Sequence, residues 1–302
     1  MMRLLKLAGA VVVGGCLVAG TVAVAATARP AEATVARPAG ATVARPGAAT
    51  VTRAGKGVSA WVFDGVNKAL AKSGASWYYT WAPDHLGITT PRGVHFVPMI
   101  WGAGSATSAT LHEVRHEGPD LLGFNEPDMA SQSNMSVSQA LRLWPRLMRT
   151  GLKLGSPAVA TDAATPGGWL DRFMHGVRAR HLRVNFITVH WYGGDFATGQ
   201  AVQQLHSYLR AIHARYRLPI WLTEFALIRF GPTTTFPSGR RQAAFLTAAT
   251  SMLDRLSFVH QYAWFALPAT SGDGTAGLFR PGAIATRAGR AFEAAGAATV
   301  QR

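Results

Sequence analysis

Asp120-Leu121-Leu122-Gly123-Phe124-Asn125-Glu126-Pro127-Asp128 is an apolar run that ends on an acid. The same design returns far along the chain at Pro219-Ile220-Trp221-Leu222-Thr223-Glu224-Phe225. Continuous apolar runs of this length read as strands buried on both faces, the habit of a parallel sheet covered by helices. A carboxylate at the end of a buried strand is costly unless something uses or satisfies it. If both strands belong to one parallel barrel, Glu126 and Glu224 surface at the same mouth.

The surrounding chain supports that arrangement. Strand-like runs occur near 57–63, 76–82, 95–101, 120–126, 152–158, 184–192, 218–225 and 258–266. Between them lie helical patterns. Val137, Ala140, Leu141, Trp144, Leu147 and Met148 follow the three-four spacing, with a kink expected at Pro145. Val202, Leu205, Leu209, Ile212 and Tyr216 do the same, and a final helix is expected over 285–295. Eight alternations of strand and helix after residue 57 have the size and rhythm of a single (β/α)8 TIM barrel, an α/β fold. A doubly wound open sheet is the runner-up. It would need a glycine-rich loop after its first strand, and Val62-Phe63-Asp64-Gly65-Val66 is not one.

The first segment is not part of that core. Arg3 and Lys6 precede an apolar run from Leu7 to Ala26, with small-residue cleavage patterns at Ala23-Val24-Ala25 and Ala26-Thr27-Ala28. Residues 1–28 therefore read as a signal peptide and the protein as secreted, although the run is also long enough for an uncleaved anchor. A lipid anchor on Cys16 is discounted because the apolar stretch continues well past it. Cys16 is the only cysteine, so the mature domain has no disulfide. Ala33-Thr34-Val35-Ala36-Arg37-Pro38 returns as Ala41-Thr42-Val43-Ala44-Arg45-Pro46 and more loosely from Ala49. That period matches no packed repeat, so residues 29–56 read as a disordered linker before a catalytic domain at 57–302.

The chain carries 30 basic and 15 acidic residues, a net charge of +15. The excess is scattered arginine, with no dense basic block interleaved with aromatics. A basic protein held near an anionic cell wall fits better than a nucleic-acid binder. No stable membrane association is expected once the signal is removed, and the domain is expected to act as a monomer.

Two carboxylates facing across a cleft are what cleavage of a glycosidic bond requires. One protonates the leaving oxygen, for which a raised pKa helps, and the other attacks the anomeric carbon. Nine tryptophans stand in the chain. Trp81, Trp101, Trp191 and Trp264 lie at strand ends, where flat rings can stack on sugar faces; Trp61 and Trp144 read as core. Asp128 reads either as a cleft residue or as a loop cap.

These residues resemble a known family. Asn125-Glu126-Pro127 on strand four with Glu224 on strand seven is similar to the large barrel clan of retaining glycosidases. Trp77-Tyr78-Tyr79-Thr80-Trp81, Phe96-Val97-Pro98-Met99-Ile100-Trp101-Gly102 and Gly123-Phe124-Asn125-Glu126-Pro127-Asp128 resemble glycoside hydrolase family 128. So do His190-Trp191-Tyr192, Thr223-Glu224-Phe225 and Trp264-Phe265, in the family's order over about 57–295. The resemblance implies a cofactor-free endo-β-1,3-glucanase acting on β-glucan by double displacement. Glu126 is then acid/base and Glu224 nucleophile. By the same resemblance, Asn125 bonds the sugar 2-hydroxyl, Tyr192 or His190 orients Glu224, and Trp264 forms the floor under the cleaved sugar. His190 reads equally as a satisfied core histidine. The family leads one to expect Asn at Thr80 and Tyr at Phe292; the first departure touches a sugar contact, the second only packing.

His112-Glu113-Val114-Arg115-His116 matches the zinc-protease pattern HExxH, but Pro119 stands where the extended pattern needs glycine. No metal is expected. The competing functions are a barrel that binds glycan without cleaving it and a hydrolase of another β-glycan such as mannan or xylan.

Overall fold

In the computed structural model the described residues are 54–269 and 275–296. The expected signal peptide and the tether as far as residue 53 lie outside them. Eight strands follow the expected runs: β1 Gly55–Ser59, β2 Trp77–Tyr79, β3 His95–Phe96, β4 Asp120–Leu121, β5 Lys153–Leu154, β6 Ile187–Gly193, β7 Ile220–Leu227 and β8 Val259–Trp264. Six form one sheet in the order β3-β2-β1-β8-β7-β6, with every neighbour parallel. β4 and β5 pair in parallel, and isolated parallel bridges join this pair to both edges, Met99 with Leu122 on one side and Gly155 with Phe186 on the other. The circuit closes as a barrel. An open doubly wound sheet would have left two edges unpaired.

The helices are α1 Val66–Ser73, α2 Ser108–Glu113, α3 Val137–Met148, α4 Trp169–Ala179, α5 Thr198–Tyr216, α6 Gly239–Leu253 and α7 Arg287–Ala294. Eight strand–helix alternations were expected, and one helix is missing among the described residues: β2 and β3 are joined by residues 80–94 without one. Pro83, Pro91, Gly87 and Gly93 punctuate that stretch and explain why no helix propagates there. The last helix starts later than expected, because Ala285 belongs to a short antiparallel pair, β9 Phe279–Arg280 with β10 Ile284–Ala285. Pro145 does not split α3. The Ser136 hydroxyl caps the helix by accepting from the Gln139 amide at 3.2 Å. Beyond it, Ala140, Leu141, Trp144 and Leu147 are all buried, so packing outweighs the one lost backbone bond.

The barrel interior is filled rather than open. Trp77, Tyr79, Val97, Met99, Leu122, Phe186, Trp221 and Ala263 converge from different strands into one buried cluster, with Trp81 and Trp101 against its upper side. Gly57 makes room for it, since a Cβ there would stand 2.2 Å from the Trp77 ring. The larger apolar layer lies between strands and helices, with Phe124, Trp144, Phe225, Phe245, Trp264 and Phe292 fully buried. Phe292 fills its place with no hydroxyl to satisfy, as expected.

β1 begins at Gly55, so Gly55 and Lys56, expected in the linker, belong to the sheet. The Lys56 ammonium donates to the carbonyls of Phe292 and Ala295, each at 2.7 Å, and sits 4.6 Å over the Phe292 ring. It thereby closes the C-terminal end of α7 against the first strand. Replacing it by methionine leaves those carbonyls without their donor, and a loss of about 1–3 kcal/mol is expected by thermal or denaturant unfolding. Burial lowers the Lys56 pKa from 10.5 to about 8, against the pull of Asp254 and Glu293. Between those two values the unfolded chain binds more protons than the folded one, so the wild type gains stability as pH rises. The deficit of Lys56→Met should therefore widen from pH 8 to pH 10.

Candidate active site

Glu126 follows β4 and Glu224 lies within β7, so both acids come from the C-terminal side of the barrel strands. Both are buried, at 9% and 4% exposure. Each is aimed by an irregularity rather than by regular strand geometry. Glu126 has φ 40°, in the left-handed region, and its amide donates to the Ala158 carbonyl at 2.7 Å. A non-glycine residue held there stores of order 1–3 kcal/mol of strain. On β7, Trp221 points into the barrel and Leu222 outward. Strict alternation would then turn Glu224 away from the lumen. A register shift between Leu222 and Phe225 against β8 resets the phase, leaving Phe225 in the outer layer and Glu224 at the mouth.

His190 sits between the two acids. Its Nδ1 is 2.9 Å from Glu126 Oε1, and its Nε2 approaches Glu224 Oε1 to 3.4 Å without hydrogen-bond geometry. One ligand atom from each of these three residues lies within 4.8 Å of the others. Glu224 is held by three further donors. Tyr79 Oη and Trp81 Nε1 donate to Oε1 at 3.0 and 2.8 Å, and Tyr192 Oη donates to Oε2.

The electrostatics follow from this crowding. Burial, together with the Glu126 charge, raises the Glu224 pKa above 4.5, against the lowering effect of His190 and of the Tyr192 and Trp81 donors. Burial lowers the His190 pKa, but the Glu224 charge and the Glu126 hydrogen bond outweigh it, and the net shift is upward from 6.5. Burial and the Glu224 charge raise Tyr79 and Tyr192 well above 10.0, which keeps both phenols protonated as donors. The three donors orient the Glu224 carboxylate for attack and offset part of the burial that disfavours its anion.

The aromatic surround differs in part from expectation. Trp81 is at the mouth, with its ring 5.0 Å from Tyr79, 6.1 Å from Trp61 and 5.9 Å from Phe265. Trp101 is partly exposed against the interior cluster. Trp264 is not a floor: it is fully buried in the outer layer, its ring 5.0 Å from Phe225 and its indole donating to the Ala276 carbonyl at 2.7 Å. Trp191 also faces outward, stacked on Phe245 at 5.6 Å. The reason is strand alternation. With His190 and Tyr192 facing the acids, Trp191 between them must face the helices. The same parity puts Phe265 at the mouth in place of Trp264, edge-on to Tyr192 at 5.5 Å. Trp61, expected in the core, joins this cluster instead. Tyr79 was legible two positions before Trp81 on one strand face, and Phe265 one position after Trp264.

Asp128 is a loop brace. Its two oxygens accept the amides of Ala160 and Thr161, at 2.9 and 3.2 Å. Thr80, where asparagine was expected, donates its hydroxyl to the Asp84 carbonyl at 2.7 Å and so fixes the loop behind Trp81. Asn125 is buried beside Glu126 at 3% exposure. The HExxH stretch splits at Glu113, where α2 gives way to a 3-10 turn over Val114–His116. Among the described residues, Glu126, His190 and Glu224 are the only three potential metal ligands that converge, and the HExxH residues are not among them.

Known proteins share this fold and much of this sequence. Residues 57–292 match the family described as "Glycosyl hydrolase catalytic core". A GH128 subgroup I endo-beta-1,3-glucanase from Amycolatopsis mediterranei, solved with laminaritriose, is 54% identical at TM-score 0.77, over 80% of this chain and 99% of that one. A GH128 subgroup III curdlan-specific exo-beta-1,3-glucanase from Blastomyces gilchristii, solved with glucose, is 29% identical at TM-score 0.62, over 78% of this chain and 97% of that one. The alkali-sensitive linkage protein 1 of Schizosaccharomyces pombe is 32% identical over 213 residues, 68% of this chain. The chain spans 37% of that curated relative's length.

Proposed function

This chain belongs to glycoside hydrolase family 128, and from that membership we propose that it is a secreted endo-β-1,3-glucanase that retains the anomeric configuration. That it is a glycoside hydrolase follows from the family. The linkage, the mode of attack and the residue roles are the proposal. The observation that carries it is the approach of Glu126 and Glu224 oxygens to within 4.8 Å beneath a mouth lined by Trp61, Trp81 and Phe265. Retaining enzymes hold their carboxyl groups about 5–5.5 Å apart, whereas inverting ones need about 6.5–9.5 Å to admit a water.

In the proposed mechanism Glu126 gives its proton to the departing glycosidic oxygen as Glu224 attacks the anomeric carbon. Trp81, Tyr79 and Tyr192 orient Glu224 for that attack. Glu126 then takes a proton from the incoming water, which releases the sugar from Glu224. His190 holds Glu126 in place through the hydrogen bond at Nδ1, and the charge of Glu224 together with that bond raises the His190 pKa against burial. Endo action is supported by the 54% identity to an endo-acting relative against 29% to an exo-acting one.

The test is a product profile from laminarin, curdlan, mixed-linkage glucan, mannan and xylan. A ladder of oligosaccharides from laminarin and curdlan is expected. Release from mannan or xylan alone overturns the linkage, glucose alone overturns the endo mode, and tight laminarin binding without new reducing ends overturns catalysis. Secretion is supported by the apolar run after Arg3 and Lys6 and is tested by N-terminal sequencing of protein recovered from the medium.

The nucleophile must be ionised, so activity is lost as pH falls through the Glu224 pKa. Because that value is raised, the acid limb of kcat/KM should lie above pH 4.5. Tyr192→Phe removes a donor to the anion and should move the limb higher still.

A further inference from the structure

Where β2 passes to β3 no helix covers the strands, and side chains do there what a helical ladder does elsewhere. Within residues 80–94 the main chain closes on itself through the Ile88 amide to the His85 carbonyl at 2.9 Å and the Val94 amide to that of Pro91 at 3.1 Å. His85 supplies the firmer anchor. Its ring lies on Phe96 of β3 at 4.2 Å, in the layer outside the sheet. Its Nε2 is 2.7 Å from Glu117 Oε2, and a carboxylate can only accept, so that nitrogen carries a proton. In the neutral ring Nδ1 is then an acceptor. The hydroxyls of Tyr78 and Thr90 stand 2.8 and 3.0 Å from it, and 2.8 Å from each other. One imidazole thus ties β2, the approach to β3 and the turn before β4 together.

The same stretch carries Trp81, whose indole donates to Glu224 Oε1 at 2.8 Å. Trp81 has φ 56°, and a non-glycine residue stays in the left-handed region only where its surroundings over-determine it. The turn around it is held by the Thr80 hydroxyl donating to the Asp84 carbonyl at 2.7 Å and the Met99 amide to that of Ala82 at 3.0 Å. His85 follows Asp84 directly. We propose that His85 is a positioning residue: by anchoring the far side of this turn to Tyr78, Thr90 and Glu117, it holds the Trp81 indole on Glu224. The consequence for catalysis rests on the functional reading above; the placement of the indole does not. An indole that swings away leaves Glu224 with fewer donors, which disfavours its anion and loosens its aim.

The experiment follows the Trp81 indole itself. The full chain, isotope-labelled at its indole nitrogens, is titrated towards acid and observed by NMR, with the Trp81 signal identified by its loss in W81F. In the wild type that signal should shift as Glu224 takes up its proton, and in E224Q it should not. H85L should uncouple the signal from Glu224 and lower kcat on laminarin about tenfold. The acid limb of kcat/KM should move to higher pH, because the Trp81 donor is one of the contacts that hold the Glu224 pKa down against burial. In a W81F background H85L should add no further loss. E117M breaks the anchor from its other side without touching the ring stack and should show the same changes in smaller measure. E117Q, whose amide oxygen still accepts from Nε2, should behave as wild type. A Trp81 signal that still titrates with Glu224 in E117M and H85L overturns the inference, and so does a loss that adds to that of W81F. A wild type that turns over no β-glucan contradicts the functional reading, and the indole titration then decides His85 by itself.

Discussion

Glu224→Ala is expected to lower kcat on laminarin by on the order of 10⁴ or more, since it removes the attacking group itself. The variant should still fold, because the space it opens borders the mouth rather than the outer apolar layer. Azide supplied with an activated aryl β-laminaribioside should enter from the face that Glu224 vacates. The product is then a glycosyl azide of α configuration, formed in one displacement. No other residue in the cluster gives this signature, since Tyr79, Trp81 and Tyr192 only donate to Glu224. A β-configured azide from this variant would mean that Glu224 is not the nucleophile.

Glu126→Ala separates the other role by its dependence on the leaving group. Loss of general acid–base catalysis costs on the order of 10²–10⁴, and the first step feels it only when the departing oxygen needs a proton. Turnover of laminarin should fall by that factor. Glycosylation from a 2,4-dinitrophenyl glycoside should be nearly spared, with a burst of dinitrophenolate before slow hydrolysis. Azide should accelerate that second step and yield the β-configured azide, because it attacks the glycosyl-enzyme from the vacated acid/base side. Equal losses on both substrates would remove Glu126 from proton transfer.

The barrel was legible because its strands announce themselves. Long apolar runs at 184–192 and 218–225 read correctly, and their lengths are those of strands covered on both faces. The missing helix between β2 and β3 is also written in the prolines and glycines of 80–94, which outweigh the regular strand–helix rhythm there. The acids were legible from their place at the ends of apolar runs. Their aim was not: a bulge in β7 and a left-handed residue at 126 reset phases that sequence spacing predicts regular. The tryptophans show the opposite lesson. Trp191 and Trp264 were expected in the cleft because they stand at strand ends, yet simple alternation from His190 and Tyr192 would have turned Trp191 outward. Asn125 Nδ2 donates to Gln132 Oε1 at 3.3 Å only because the loop after Glu126 folds back, its Ser133 amide bonding the Asn125 carbonyl, a contact with no periodic trace.

Proton NMR of the first reducing sugar released from a laminarioligosaccharide, before mutarotation, tests the paired-acid geometry most directly. The closeness of Glu126 and Glu224 predicts the β anomer, formed through two displacements at one carbon. The α anomer would mean that a water attacks the anomeric carbon directly, and would contradict the double displacement.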